Sequence, residues 1–129
     1  MRFIMMVIAE GDESVAPAAE SIAKMMEYNK ALLKAGVLLA LDNLFPPSTA
    51  ARVSYADGKS TVIDGPFVEA KGVIGGYWII QVRSREEAIE WARRAPMSNN
   101  EVIEVRQIHE ISQDLQTVTE AFEHRNVVH

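Results

Sequence analysis

Hydrophobic and polar positions along the chain change period several times, and each change marks an element. Residues 2 to 9, RFIMMVIA, are nearly all apolar, as in a central strand covered on both faces. Residues 17 to 35, PAAESIAKMMEYNKALLKA, switch to helical spacing. Ala19, Ile22, Met26, Asn29 and Leu33 share a stripe widened by Met25 and Leu32, with Lys24, Glu27, Lys30 and Lys34 facing away. Pro17 suits an early helical position and Gly36 the residue just past the end. Residues 36 to 45, GVLLALDNLF, predict a second strand that Pro46-Pro47-Ser48 must interrupt. In ARVSYADGKSTVI, 51 to 63, Val53 and Tyr55 alternate with Arg52 and Ser54, and Asp57-Gly58 is a favoured pair for a tight hairpin turn. GYWIIQV, 76 to 82, predicts another strand. A helix over 84 to 95 opens on Ser84 with Glu87 three residues on, a capping box. Its stripe is Ala88, Ile89, Ala92 and Ala95, and Pro96 ends it. EVIEVRQI, 101 to 108, alternates as a last strand, and Ile111, Leu115, Val118 and Phe122 place a further helix in the tail.

Without the hairpin the order is βαββαβ, the ferredoxin-like pattern of an α+β fold with an antiparallel sheet and both helices on one face. The expected organisation is one domain over residues 1 to 111 and a helical tail over 112 to 129. A sheet with helices on one face leaves the other face bare. The simplest cover is a second copy of the same sheet, so a homodimer is expected.

Composition narrows the function. The 129 residues include no cysteine, which excludes disulfides, thiolate catalysis and cysteine-ligated zinc. A net charge of −5 with scattered Lys and Arg disfavours direct nucleic-acid binding. No stretch approaches the roughly 18 apolar residues of a membrane span. A cytoplasmic protein without a membrane partner is expected. The histidines His109, His124 and His129 lack ligand spacing, and no phosphate loop is present, so neither metal nor cofactor is expected.

The least generic stretch is VIDGPFVEAKGVIGGYWIIQV, 62 to 82. Asp64-Gly65-Pro66 has the chemistry of a structural corner: an Asp that accepts local amides, a Gly free in φ and a Pro that fixes it. It equally suits a binding loop. Glu69 and Lys71 point to the same side of an extended segment. They form either a solvated ion pair or a proton shuttle beside an anion anchor. Tyr77 and Trp78 must face opposite ways. Arg52, Arg83 and Arg106 lie in or at the ends of strands, where any one reaching a cavity could hold a carboxylate. His109, after the last strand, could serve as a lone base.

These residues resemble the DGPF, or YCII-related, family of small bacterial proteins. Asp64, Gly65, Pro66 and Phe67 match its motif. Glu69, Lys71, Gly75, Gly76 and Tyr77 match the family's continuation of that motif, and GVLLALDNLFPPSTAARV is similar to its earlier segment. The resemblance implies a ferredoxin-like fold paired as a dimeric α/β barrel, without a settled activity; some members are fused to or encoded beside sigma factors. This chain has Gly72 where the family has a second Glu. YCII-type relatives with a His–Asp pair for acid–base elimination align that pair with Met25 and Ala95, so the pair does not carry over. The expected function is binding of a small anionic or aromatic molecule near the dimer interface. Cofactor-free lyase- or isomerase-like chemistry would fall to Asp64, Glu69 and Lys71, and ligand contacts to Arg52, Phe67, Tyr77, Arg83 and His109. The alternative is a non-catalytic interaction module tied to sigma-factor-linked transcription.

Overall fold

The computed structural model describes residues 1–9, 19–67 and 72–110. Its elements run β1 (Arg2–Ala9), α1 (Ala19–Lys34), β2 (Leu38–Asn43), a 3-10 turn (Pro47–Thr49), β3 (Ala51–Ala56), β4 (Lys59–Asp64), β5 (Val73–Gln81), α2 (Arg85–Arg94) and β6 (Glu101–Ile108). Four strands form one sheet in the order β2-β5-β1-β6, with every neighbour antiparallel. The topology is compatible with a ferredoxin-like α+β fold. β3 and β4 pair separately as a two-stranded ribbon, turned by Asp57 and Gly58, both at positive φ as the primed turn requires. The expected tail helix lies outside the described residues.

Local chemistry accounts for the helix ends. The Ser84 hydroxyl accepts the Glu87 amide at 3.1 Å, and the Glu87 carboxylate accepts the amide of Arg83 at 3.0 Å. The box therefore closes one residue further back than the usual reciprocal pair. At the end of α1, Gly36 takes φ +73°. Its amide reaches the Leu33 carbonyl and the Val37 amide the Leu32 carbonyl, a Schellman closure. Leu32 and Val37, whose contact usually accompanies that closure, are both buried.

Strand alternation sorts the sheet. Phe3, Met5, Trp78 and Ile80 face the helices and bury with Tyr28, Leu32, Ala88 and Trp91. The opposite face carries Ile4, Met6, Ile8, Tyr77 and Ile79, all half-buried. Both faces of β1 are thus apolar, as its unbroken run anticipates.

The stripe expected on α1 is turned relative to the core. Tyr28 and Leu32 are its buried residues, with Met25 and Asn29 beside them. Ile22, Met26 and Leu33 are 47%, 56% and 63% exposed. The cause is Tyr28, whose ring meets Trp78 and Trp91 edge-on at centroid distances of 5.4 and 6.3 Å. Its hydroxyl donates to the Trp91 carbonyl at 2.6 Å. That carbonyl sits in the last turn of α2, where the Ala95 amide bonds Ala92 instead. Tyr28 thereby satisfies a group the helix leaves open. Burial pushes its phenol up to about 12, with a smaller opposing effect from the Arg94 charge.

Tyr28→Phe is expected to cost about 1–3 kcal/mol, because a buried carbonyl loses its donor; urea unfolding checks this. The raised pKa fixes the sign of a pH effect. Between 10.0 and about 12 the native state keeps a proton that the unfolded chain releases. Tyr28's contribution is complete below that window and falls as pH rises through it. Unfolding across this range should therefore show a steeper loss in the parent than in Tyr28→Phe.

Candidate functional site

The residues singled out from the sequence occupy separate places. Asp64 ends β4, exposed and paired with Ala51. Gly65 donates its amide to the Ala50 carbonyl at 2.7 Å, and the Gly65–Pro66 bond is cis. A Cβ at Gly65 would collide with the Pro47 carbonyl oxygen. The Arg52 guanidinium lies over the Phe67 ring, 3.8 Å from its centroid. Asp64, Gly65, Phe67 and Arg52 thus form the corner that docks the base of the ribbon on the 3-10 turn. Glu69 and Lys71 lie outside the described residues. Gly72 comes directly after them; a Cβ there would approach Ile8 Cγ2 to 2.7 Å, so the Glu implied by the family resemblance would require Ile8 to shift.

Arg83 and His109 stand at the other end of the sheet, past the ends of β5 and β6. The His109 carbonyl accepts from Arg2 Nη2 at 3.0 Å. Arg106 pairs with Ile4 and lies on the face opposite the helices. Tyr77 points to that same face and donates to Asp42 Oδ2 at 2.7 Å. The hydrogen bond, with smaller effects from desolvation and the Asp42 charge, raises its phenol above the usual value.

What the fold does assemble is a cavity of about 260 Å³ between α1 and the sheet. It lies where β1 ends and β6 begins, roughly 25 Å from His109 along β6 at ~3.3 Å per residue. Val7, Met25, Leu41, Trp78 and Met97 supply apolar wall, and Asn29, Asn43 and Glu101 the polar groups. Asn29 Oδ1 accepts from Trp78 Nε1 at 2.8 Å, which directs its NH2 away from that bond. One Glu101 oxygen accepts the Ser98 amide at 2.7 Å. The floor is bare backbone. Gly75 is the extra residue of a bulge in β5, between the pairs Val7–Gly76 and Ile8–Ile74, and its carbonyl accepts the Leu44 amide at 2.9 Å. A Cβ at Gly76 would come within 2.9 Å of Asn43 Oδ1, so glycine there lets Asn43 lie close to the strand.

The cavity is on the helix-covered face of the sheet. Among the described residues no Lys, Arg or His lines it, so Arg52, Arg83 and Arg106 do not anchor an anion there. None of Asn29, Asn43 and Glu101 was expected as a site residue. The one available sign was Asn29, a polar residue within an otherwise apolar stripe. Among the described residues no group of three or more His, Cys, Asp or Glu could hold a metal, and no helix is long and apolar enough to cross a membrane.

The architecture is a mixed α+β domain with an antiparallel sheet, two helices and a cavity beneath the first. The YCII-related domain model matches residues 1–112, and the chain belongs to that family. It is also similar to an uncharacterized protein of Rhizobium meliloti (strain 1021), 32% identical over 99 residues, 72% of this chain and 80% of that one.

Gly65→Ala should destabilise the protein by about 2 kcal/mol or more, because its methyl meets backbone that cannot yield. Asp64→Asn, at an exposed position, should stay within about 0.5 kcal/mol. Paired denaturant melts check both; equal losses would contradict the corner assignment.

Proposed function

We propose that this YCII-related protein binds a small, largely apolar molecule in the cavity between α1 and the sheet. The supporting observation is the wall itself. Val7, Met25, Trp78 and Met97 provide body, while Asn29, Asn43 and Glu101 offer a few polar groups from three different elements. Ligand sites commonly have that composition, with polar groups setting orientation inside an apolar pocket. The acid–base role expected of Asp64, Glu69 and Lys71 gains a different candidate. Asp64 does not line the cavity, and among the described residues Glu101 is the carboxylate that does. If the site is catalytic, Glu101 is positioned to take a proton from a bound molecule, in an elimination or isomerisation that needs no cofactor.

A second reading concerns assembly: a second copy covers the open face of the sheet. The half-buried row Ile4, Met6, Ile8, Tyr77 and Ile79 supports it, as does the ribbon, whose Val53, Val62 and Tyr55 share one exposed face. A lone two-stranded ribbon is marginal in water and gains from cover.

A thermal-shift screen of small aromatic molecules should find compounds that raise the melting temperature through binding to the native state. Met25→Trp, which fills the cavity, should abolish those shifts while leaving the circular dichroism unchanged. Shifts that survive the substitution would put binding elsewhere. Light scattering after size exclusion should give about twice the 14.3 kDa chain mass; a stable monomer at micromolar concentration would overturn the sheet-pairing reading.

A further inference from the structure

We infer that the cavity selects a small aromatic amine and disfavours a carboxylate. The inference rests on the binding proposal above and concerns only the charge and size of the molecule bound. An enclosed apolar cavity of about 150 Å³ accommodates benzene. The 260 Å³ here leaves room for one ring and a short substituent. Trp78 and the thioethers of Met25 and Met97 favour a ring, since sulfur packs well against aromatic edges.

Electrostatics then chooses the substituent. Glu101 is half-buried in the wall, and one of its oxygens is engaged by the Ser98 amide at 2.7 Å. The second oxygen has no hydrogen-bond partner among the described residues, and it can accept from a ligand. Asn29 and Asn43 are neutral, and no cationic side chain among the described residues lines the space. A carboxylate entering the cavity would lose water and meet the like charge of Glu101, with no cation among the described residues to offset either cost. A protonated amine meets the opposite sign and forms a charge-assisted hydrogen bond. The anion expected from the sequence rested on Arg52, Arg83 and Lys71. The first two lie away from the cavity, and Lys71 lies outside the described residues.

The test uses three probes of nearly equal size, benzylamine, benzyl alcohol and benzoate, titrated calorimetrically into the full chain at neutral pH. Benzylamine should bind about tenfold tighter than benzyl alcohol, the low end of what a hydrogen bond to a charged group contributes. Benzoate should bind weakest. Glu101→Gln keeps an oxygen for the Ser98 amide and removes the charge. It should erase the amine's advantage, lowering benzylamine affinity several-fold more than benzyl alcohol affinity. Benzoate binding as tightly as benzylamine would overturn the inference, and so would an amine preference that survives Glu101→Gln. In either case benzyl alcohol binding that Met25→Trp abolishes would leave the cavity proposal standing. Binding of none of the three would overturn both.

Discussion

The fold depends on Tyr28. From one position on α1 its ring fits edge-on to Trp78 of the sheet and Trp91 of α2, and its hydroxyl closes the last turn of α2. Three layers of contact therefore converge on a side chain with only two rotatable bonds. Aromatic pairs of this geometry contribute about 0.5–1.5 kcal/mol each beyond their buried area. Their directional effect matters more here: they fix the rotation of α1 about its own axis. That rotation brings Met25 and Asn29 over the sheet and leaves Ile22, Met26 and Leu33 outside. The cavity wall depends on the same choice, because Asn29 can bond Trp78 only with the helix so turned.

The mid-chain motif acts elsewhere. Gly65 lies against the Pro47 carbonyl, and Arg52 covers Phe67, so the described part of the segment is a joint between ribbon and 3-10 turn. A motif can be distinctive because a tight corner admits few residues. The polar groups of the cavity arrive by another route, on α1, β2 and β6, and each also has a structural neighbour: Trp78 for Asn29, the Ser98 amide for Glu101, Gly76 for Asn43.

Much of the fold was legible because its signals are local. Asp57-Gly58 marked the ribbon turn, Ser84 and Glu87 the start of α2, Gly36 the end of α1, and the alternation of 101 to 108 coincides with β6. The phase of α1 was not legible. At ~100° per residue its apolar residues span a broad arc, and only contacts with α2 and the sheet decide which half is buried. Tyr28, left out of the expected stripe, sits at the centre of the buried half. The cavity was less legible still. Spacing along the chain says nothing about Asn29, Asn43 and Glu101 meeting, since sheet register brings them together. The arginines attracted attention as charged residues at strand ends, but strand direction sends Arg83 and the cavity to opposite ends of the sheet.

The glycine pair under the cavity is not symmetrical. Gly76 is held to its small size by Asn43 and the Asp42 carbonyl. Gly75 has open space where a side chain would stand, and its φ is not among the positive ones. A Cβ added at position 75 would meet no neighbour within 4 Å, so a small side chain there would cost the scaffold little. Of two adjacent glycines, then, one is fixed by its neighbours and the other leaves the strand free to change without disturbing Asn43.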